Sequence, residues 1–384
     1  MKTSAIYAAS FDPPTNGHLW VIEEAVKLFS DLRIVIGINP KKEPMFSLTE
    51  RIWMLKEMTK HLGSAITIQT MYDRFLVDFG PKMNINHIVR GIRSASDYEY
   101  EKQMNDINRK INKNVTAWYV IPPPEIASTS SSTVKSLIGP AGWELELTKY
   151  VPDSCLLYIM KKGSTLYKRL QEMGLRSTSE RKELYFWKTL ISAYTNPGRQ
   201  YHNFKHIART LKDFHEHGFL NTYQPKPRPM VEMEFPIAME LAIWFHDVHY
   251  VPNDPLNEQK SADIAANWLF GLPKNVIARV KELILATRHT VPIDPADKEA
   301  AFIIDLDLSI LGKDEDIFDE YDSGIRHEFS KFSDLTYARG RIDFLNTILA
   351  RERIFTHDYF FREYEEKARA NITRTIDRLE RSLL

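Results

Sequence analysis

Cysteine is almost missing from this chain: Cys155 is the only one in 384 residues. That excludes an internal disulfide framework and suits a reducing compartment. A charge excess of either sign is missing too. Lysine plus arginine and aspartate plus glutamate number 51 each, so no global field favours nucleic acid or an anionic membrane as a partner. No apolar run approaches the roughly 18 residues that a membrane span needs. The chain enters an apolar strand by residue 5, which leaves no room for a signal peptide. These absences set the expectation of a cytoplasmic protein with no nucleic-acid and no membrane partner. What remains is an ordinary globular composition, 43% hydrophobic and 27% charged, on a chain too long for one core. Two domains or more are expected.

Histidine is unevenly spread. His18, His61 and His87 precede residue 163, and the other nine of the twelve follow it. The periodicity changes at the same place. Apolar, β-rich runs at Ala5–Ala9, Ile34–Ile38, Ala65–Ile68, His87–Val89 and Ala117–Ile121 alternate with helical patterns up to about Ile159, which predicts a parallel sheet with crossover helices. From Thr165 onward the chain reads as amphipathic helices separated by Pro, Gly and Asn. Lys161-Lys162-Gly163-Ser164 is the expected junction, giving domains 1–162 and 163–384. The fold class is therefore multidomain, a doubly wound α/β parallel sheet followed by an all-α domain. Ser128–Thr133 is the one compositionally biased stretch.

The joint SFDPPTNGHLW, residues 10 to 20, leaves the first strand for the first helix. Pro13-Pro14 stiffens the backbone, and Asn16-Gly17 permits positive φ and close approach of a ligand. His18 falls in the first helical turn, where unpaired backbone N–H groups and the helix dipole attract phosphate. Two readings fit these residues: a phosphate site, or a stiff loop capped by Thr15 or Asn16 with His18 on the surface.

Ser10-Phe11-Asp12-Pro13-Pro14-Thr15-Asn16-Gly17-His18 resembles the signature of the Rossmann-like nucleotidyltransferases, and residues 1–160 resemble the phosphopantetheine adenylyltransferase family in particular. Asn39–Phe46 followed by Thr49-Glu50-Arg51 is similar to that family's lysine loop, Arg90–Glu101 to its arginine-glycine segment, and Ser130–Lys135 to its serine-rich helix start. The resemblance implies transfer of an adenylyl group from ATP to a small phosphate ester, with 4′-phosphopantetheine as acceptor and Mg²⁺ accompanying the nucleotide. It implies His18 on the α- and β-phosphates, Lys42 and Arg90 on the acceptor phosphate, and Ser10 placing both phosphates, with Phe11 and Gly17 in the same loop. Gly91 and Arg93 would lie along the ATP, Glu101 at its ribose, and Ser130, Ser131 and Ser132 at the β- and γ-phosphates. A homo-oligomer built through this domain is also implied. Three departures keep the acceptor open, nicotinamide mononucleotide included: Ala8-Ala9 where the family has a pair ending in glycine, Asp73–Leu76, and Pro122–Ile126 without its usual aromatic.

In the second half, Ser177–Glu180 reads as a capping box. Tyr201-His202-Asn203-Phe204-Lys205-His206-Ile207 places two histidines at i,i+4 on one expected helical face. Ala242–Asp247 is an apolar helix ending in His-Asp, and Asp305 and Asp307 follow in another apolar stretch. A carboxylate in an apolar helix needs a partner. A satisfied core ion pair supplies one; so does a divalent cation, for which a mixed N/O donor set suits Mn, Fe, Zn or Mg. The constellation resembles the HD superfamily of metal-dependent phosphohydrolases, and YHNFKHI is similar to a motif of class I cyclic nucleotide phosphodiesterases. That resemblance implies His206, His246, Asp247 and Asp307 as metal ligands, His202 as general acid and His289 as a phosphate contact. Asp305 competes with Asp307. Arg326, Arg339 and Arg341 could line a pocket for an anionic substrate, but solvated faces are the expectation.

The whole chain thus reads as a bifunctional enzyme, an adenylyltransferase fused to a phosphohydrolase of a nucleotide or other phosphate ester. The rivals are an adenylyltransferase for nicotinamide mononucleotide fused to a dinucleotide hydrolase, and a second domain that binds a nucleotide and regulates without turnover.

Overall fold

The computed structural model describes residues 3–38, 42–72, 76–140, 142–164, 166–175, 180–217, 236–289, 294 and 296–383. Asn39–Lys41 of the lysine loop, Asp73–Phe75, and Ser177–Ser179 of the expected capping box lie outside the described residues. The chain divides into two compact units, Met1–Ser164 and Thr165–Leu384.

In the first unit five strands, β1 (Ser4–Ala9), β2 (Asp31–Ile38), β3 (Ile66–Tyr72), β4 (His87–Gly91) and β5 (Thr116–Val120), form one sheet in the order β3-β2-β1-β4-β5. Every pairing is parallel. Central strand β1 is covered on both faces, which is why its sequence is apolar without alternation. Ile6, Ala8 and Val35 pack with Ile85, and Val77, Ile88 and Val115 form a second buried group. The order reverses at β1, so connections leave to opposite sides of the sheet after β1 and β4. A crevice opens at the strand ends between them, the usual place for a ligand in such sheets. This is a Rossmann-like parallel-sheet unit.

Helix α1 (Asn16–Leu28) follows β1, and Thr15 caps it. Helix α2 (Leu48–Met58) follows β2 and opens on a Ser47–Glu50 capping box. Helix α3 (Ala95–Ile111) follows β4 with Ser94 as its cap, and the short helix α4 (Ser131–Leu137) starts at Ser130. Helix α5 (Asp153–Gly163) runs through Lys161–Gly163 of the expected junction. These residues extend a helix whose Lys161 also pairs with Glu50 at 3.6 Å.

The described remainder is helix-rich. Helix α6 (Phe204–His217) begins two residues after His202, so the two motif histidines do not share a helix. Asn203 Oδ1 caps that start, accepting from Lys205 N at 2.9 Å. Helix α7 (Pro236–Phe245) is buried from Ala238 to Phe245, as a helix apolar on all sides must be. Trp187 and Trp244 meet edge to face at 5.5 Å beside Phe204. Tyr194 Oη donates to Trp244 O at 2.8 Å, which satisfies the end of α7. Helix α8 (Lys298–Leu308) is equally buried, and α9 (Glu315–Glu328), α10 (Asp334–Leu349) and α11 (Asp358–Ser382) follow it; further helices span Leu166–Glu172, Glu180–Tyr194, Asn257–Trp268 and Lys274–Ala286. Among the described residues no helix is long and apolar enough to cross a membrane.

Candidate functional sites

The crevice at the strand ends of the first unit is a cavity of about 290 Å³. His18, Arg90, Arg93 and Glu101 line it together with Ser130–Ser132, and Gly17 and Gly91 form part of its floor. His18 is fixed from behind. Thr15 N–H donates to its Nδ1 at 3.1 Å, and Thr15 Oγ1 lies 2.8 Å from the same nitrogen. A ring nitrogen that accepts a backbone N–H carries no proton, so the neutral imidazole holds its proton on Nε2. Packing of the ring against Phe11, with centroids 4.9 Å apart, supports this state. Burial, with the nearby Arg93 charge adding, pushes the His18 pKa down to about 4. His18 is therefore a neutral hydrogen-bond donor at physiological pH.

Arg90 is braced by its Nη1 donating to Ala8 O at 2.9 Å and by Glu101 Oε2 at 3.3 Å from Nε. Glu101, expected at a ribose, thus also orients Arg90. Arg93 forms a fork with Asp97, whose carboxyl this guanidinium holds low although burial opposes it. Arg93 Nη1 also reaches Thr129 O at 3.4 Å. Arg93 is thus both half of an i,i+4 ion pair and part of the cavity wall. Ser130 Oγ caps α4 by accepting from Thr133 N, Ser131 Oγ donates to Pro13 O at 2.8 Å, and Ser132 is exposed. Gly91 has a packing reason: a Cβ there would sit 2.9 Å from Val21 Cγ2. At Gly17 a Cβ would meet Thr129 O at 3.2 Å.

Three expected residues stand apart from the lining. Ser10 and Lys42 are exposed, while the Ser10 carbonyl accepts from Arg51 Nη1 at 2.9 Å. Phe11 is fully buried and backs the His18 ring, so its side chain does not face a nucleotide. The reading of the sequence missed Asp12, which assembles the loop. Its carboxylate accepts from Met45 N (3.0 Å), Phe46 N (2.8 Å) and Lys135 Nζ (2.7 Å). Asp12 and Lys135 lie 123 residues apart, a pairing no local pattern announces.

In the second unit the ends of α6, α7 and α8 converge. His206 Nε2 lies 3.1 Å from His246 Nε2 and 3.2 Å from Asp307 Oδ1. Asp247 Oδ2 lies 3.1 Å from His246 Nε2 and 3.5 Å from His206 Nε2. Ligand atoms of His206, His246 and Asp307 all fall within 4.8 Å of one another. His246 Nδ1 faces Ile243 O at 2.9 Å, which holds a proton there and leaves Nε2 as the nitrogen that faces the cluster. Two imidazole nitrogens and the Asp307 carboxylate, with Asp247 Oδ2 beside both imidazoles, are donors suited to a divalent cation, so the residues fit a metal. Burial opposes ionisation of Asp247, yet the His246 and His202 charges hold its carboxyl well below the usual range.

Asp305 and Asp307 separate cleanly. Asp305 has no exposed surface and accepts from Thr356 N at 3.0 Å and His357 N at 2.7 Å, while burial raises its pKa to about 7. His289, expected on phosphate, instead donates from Nε2 to Asp307 Oδ2 at 2.8 Å. His202 stacks on Tyr250 with centroids 3.8 Å apart, and its Nδ1 lies 2.6 Å from Glu328 Oε2. Burial lowers the His202 pKa, but Asp247 and Glu328 outweigh it and the net shift is upward. Glu328, which the sequence reading missed, also accepts from Tyr201 N and His202 N at 2.8 and 2.9 Å. Arg199 was missed as well: it donates to Asp247 O at 2.6 Å and Val248 O at 3.2 Å, locking the His-Asp turn. Arg341 is buried rather than solvated, Arg326 is half-buried and Arg339 is exposed. A cavity of about 480 Å³ adjoins the cluster, lined by His202, Asp247, His289, Asp307 and Arg341 among others.

Comparison with known proteins bears on the first unit. Residues 6–137 match the cytidylyltransferase-like family model. The chain is 47% identical over 149 residues to a phosphopantetheine adenylyltransferase of Chromobacterium violaceum, covering 39% of this chain and 90% of that protein. It is 45% identical over 150 residues to one of Neisseria meningitidis, 39% of this chain and 88% of the relative. A third, from Caldanaerobacter subterraneus subsp. tengcongensis, is 38% identical over 158 residues, 41% of this chain and 96% of the relative. These matches span nearly the full length of the relatives, and through its N-terminal unit the chain belongs to the phosphopantetheine adenylyltransferase family.

Proposed function

We propose that the first unit transfers an adenylyl group from ATP to 4′-phosphopantetheine, and that the second is a metal-dependent phosphohydrolase. The observation that carries the first reading is His18, a neutral imidazole whose Nε2–H donor is set by Thr15 within a wall of Arg90, Arg93 and the Ser130–Ser132 segment. An oxygen of the acceptor phosphate attacks the α-phosphorus of ATP, the bond to the β-phosphate oxygen breaks, and pyrophosphate leaves. Charge moves but no covalent enzyme intermediate is required, so fixed donors and cations suffice. The relatives' name favours 4′-phosphopantetheine over nicotinamide mononucleotide. Mg²⁺ would accompany the ATP phosphates with few protein ligands.

For the second unit the supporting observation is the meeting of His206, His246, Asp247 and Asp307 beside His202. A bound divalent cation would polarise the phosphoryl group and supply hydroxide from water. His202, kept protonated by Asp247 and Glu328, would give its proton to the leaving ester oxygen. Asp305 holds the Thr356–His357 turn instead of a ligand. The test is a time-resolved product analysis of the full chain with ATP, Mg²⁺, Mn²⁺ and 4′-phosphopantetheine. Dephospho-coenzyme A with pyrophosphate supports the first activity, and its absence overturns it. Release of inorganic phosphate from phosphate esters with Mn²⁺, abolished in His246→Ala, supports the second; release that survives that substitution removes it.

A further inference from the structure

The two carboxylate oxygens of Asp307 face different neighbours. Oδ1 lies 3.2 Å from His206 Nε2 and 3.6 Å from His246 Nε2, while Oδ2 accepts from His289 Nε2 at 2.8 Å. His289 Nδ1 has no partner among the described residues, so the polar bonding of that ring is directed at Asp307. The backbone of His289 is held at a φ of +59°, just beyond the helix Lys274–Ala286. Glycine enters that region without strain and histidine does not. A strained residue persists only where its surroundings over-determine it. Here the clamp is Arg351, whose Nη2 donates to His289 O at 2.7 Å.

Arg351 stands in the loop 350–357 between α10 and α11, and that loop is pinned along its length. Arg369 donates to the carbonyls of Leu349, Arg351 and Glu352 at 3.1, 2.8 and 3.1 Å. Glu365, paired with Arg369, accepts from Ile354 N at 3.0 Å and Phe355 N at 3.1 Å. Asp305 takes the next two N–H groups and is one of the three anchors. These bonds satisfy the loop's own backbone. Arg351 does something else: its guanidinium leaves the loop for a carbonyl 62 residues away in sequence. A cation gains from that contact through Asp307. Groups that hold a ligand's outer atoms fix its direction before the metal arrives, and their loss typically weakens metal binding about 10- to 100-fold.

We infer that Arg351 is a positioning residue for a divalent cation at the His/Asp cluster: it fixes the His289 backbone, the His289 ring fixes Asp307 Oδ2, and Oδ1 stays aimed at the two cluster histidines. This inference rests on the metal reading of the second unit. The test titrates the full chain with Mn²⁺ by calorimetry, without nucleotide, and identifies the site as the one lost in His246→Ala. His289→Asn tolerates positive φ, but its amide is too short to replace Nε2. Its Kd for Mn²⁺ is expected to rise about 10- to 100-fold, and that of Arg351→Met at least about tenfold. Arg351→Lys, which keeps a charged donor, is expected within about threefold of wild type. Because Arg351 acts through His289, the double variant Arg351→Met with His289→Asn binds Mn²⁺ no more weakly than His289→Asn alone. A purely structural Arg351 would lower the melting temperature and leave the Kd of the folded protein unchanged. That result, or effects that multiply in the double variant, overturns the inference. Where Arg351→Met does not fold, His289→Asn decides, and wild-type affinity in it overturns the inference. Absence of Mn²⁺ binding by wild type removes the metal reading and the inference with it, whereas wild-type binding that both variants share removes the inference alone.

Discussion

Replacing His18 by alanine removes one donor whose direction is set before substrate arrives. Nδ1 is occupied by Thr15 N–H and Oγ1, so only Nε2 can serve the cavity, and Phe11 prevents the ring from turning into another pose. A preorganised donor aimed at developing charge contributes about 2.7–4 kcal/mol, or roughly 10²–10³ in kcat. The protonation state sharpens the test. With a pKa of about 4, about 1% of His18 is protonated at pH 6, so wild-type transfer has no His18 limb between pH 6 and 8. The same depression has a stability consequence. Because the folded pKa lies below the unfolded one, the stabilisation is complete above the unfolded value of about 6.5 and is lost as pH falls towards about 4. The assay is pyrophosphate release from ATP and 4′-phosphopantetheine by the full chain from pH 5.5 to 8.5. His18→Ala within about threefold of wild type would refute the donor role. A wild-type limb near pH 6.5 that disappears in His18→Ala would refute the neutral state.

Other residues give shorter tests. Asp307→Asn should lose most bound Mn²⁺ by elemental analysis while Asp305→Asn keeps it, because only Asp307 shares the cluster with His206 and His246; the opposite pattern would reverse the assignment. Glu328→Gln takes away one carboxylate that keeps His202 protonated, so the alkaline limb of phosphate release should move to lower pH, and an unmoved limb would exclude His202 as the acid. Gly91→Ala places a methyl group 2.9 Å from Val21 Cγ2. Overpacking of this kind costs about 1–3 kcal/mol, so thermal unfolding of the first unit should shift down by several degrees, and an unchanged transition would mean that α1 yields freely.

Much of this protein is decided by local chemistry and is legible residue by residue. Apolar runs without alternation require strands covered on both faces, and the runs at Ala5–Ala9 and Ile34–Ile38 became β1 and the core of β2. The Pro-Pro and Asn-Gly joint marks a helix entry because φ restriction and capping are properties of a few neighbouring residues. Helical periodicity continuing after Thr165 likewise needs no tertiary information. Pairings across long separations are different. Helical spacing put His202 and His206 on one face, but Asn203 starts α6 later, and Glu328, 126 residues away, fixes His202. Asp305 and Asp307 are two positions apart on α8, about 200° around the helix, so they must face opposite ways. Only the packing of the Thr356–His357 turn on one side and the two histidines on the other decides which carboxylate meets the cluster. Arg341 reads as a solvated helix charge until Asp322 and Tyr321 enclose it. The sequence by itself determined the order of elements, the change of fold at the junction and the residue types available for chemistry. The tertiary structure decided which of those residues face one another, since burial and direction depend on partners that the chain brings from far along its length.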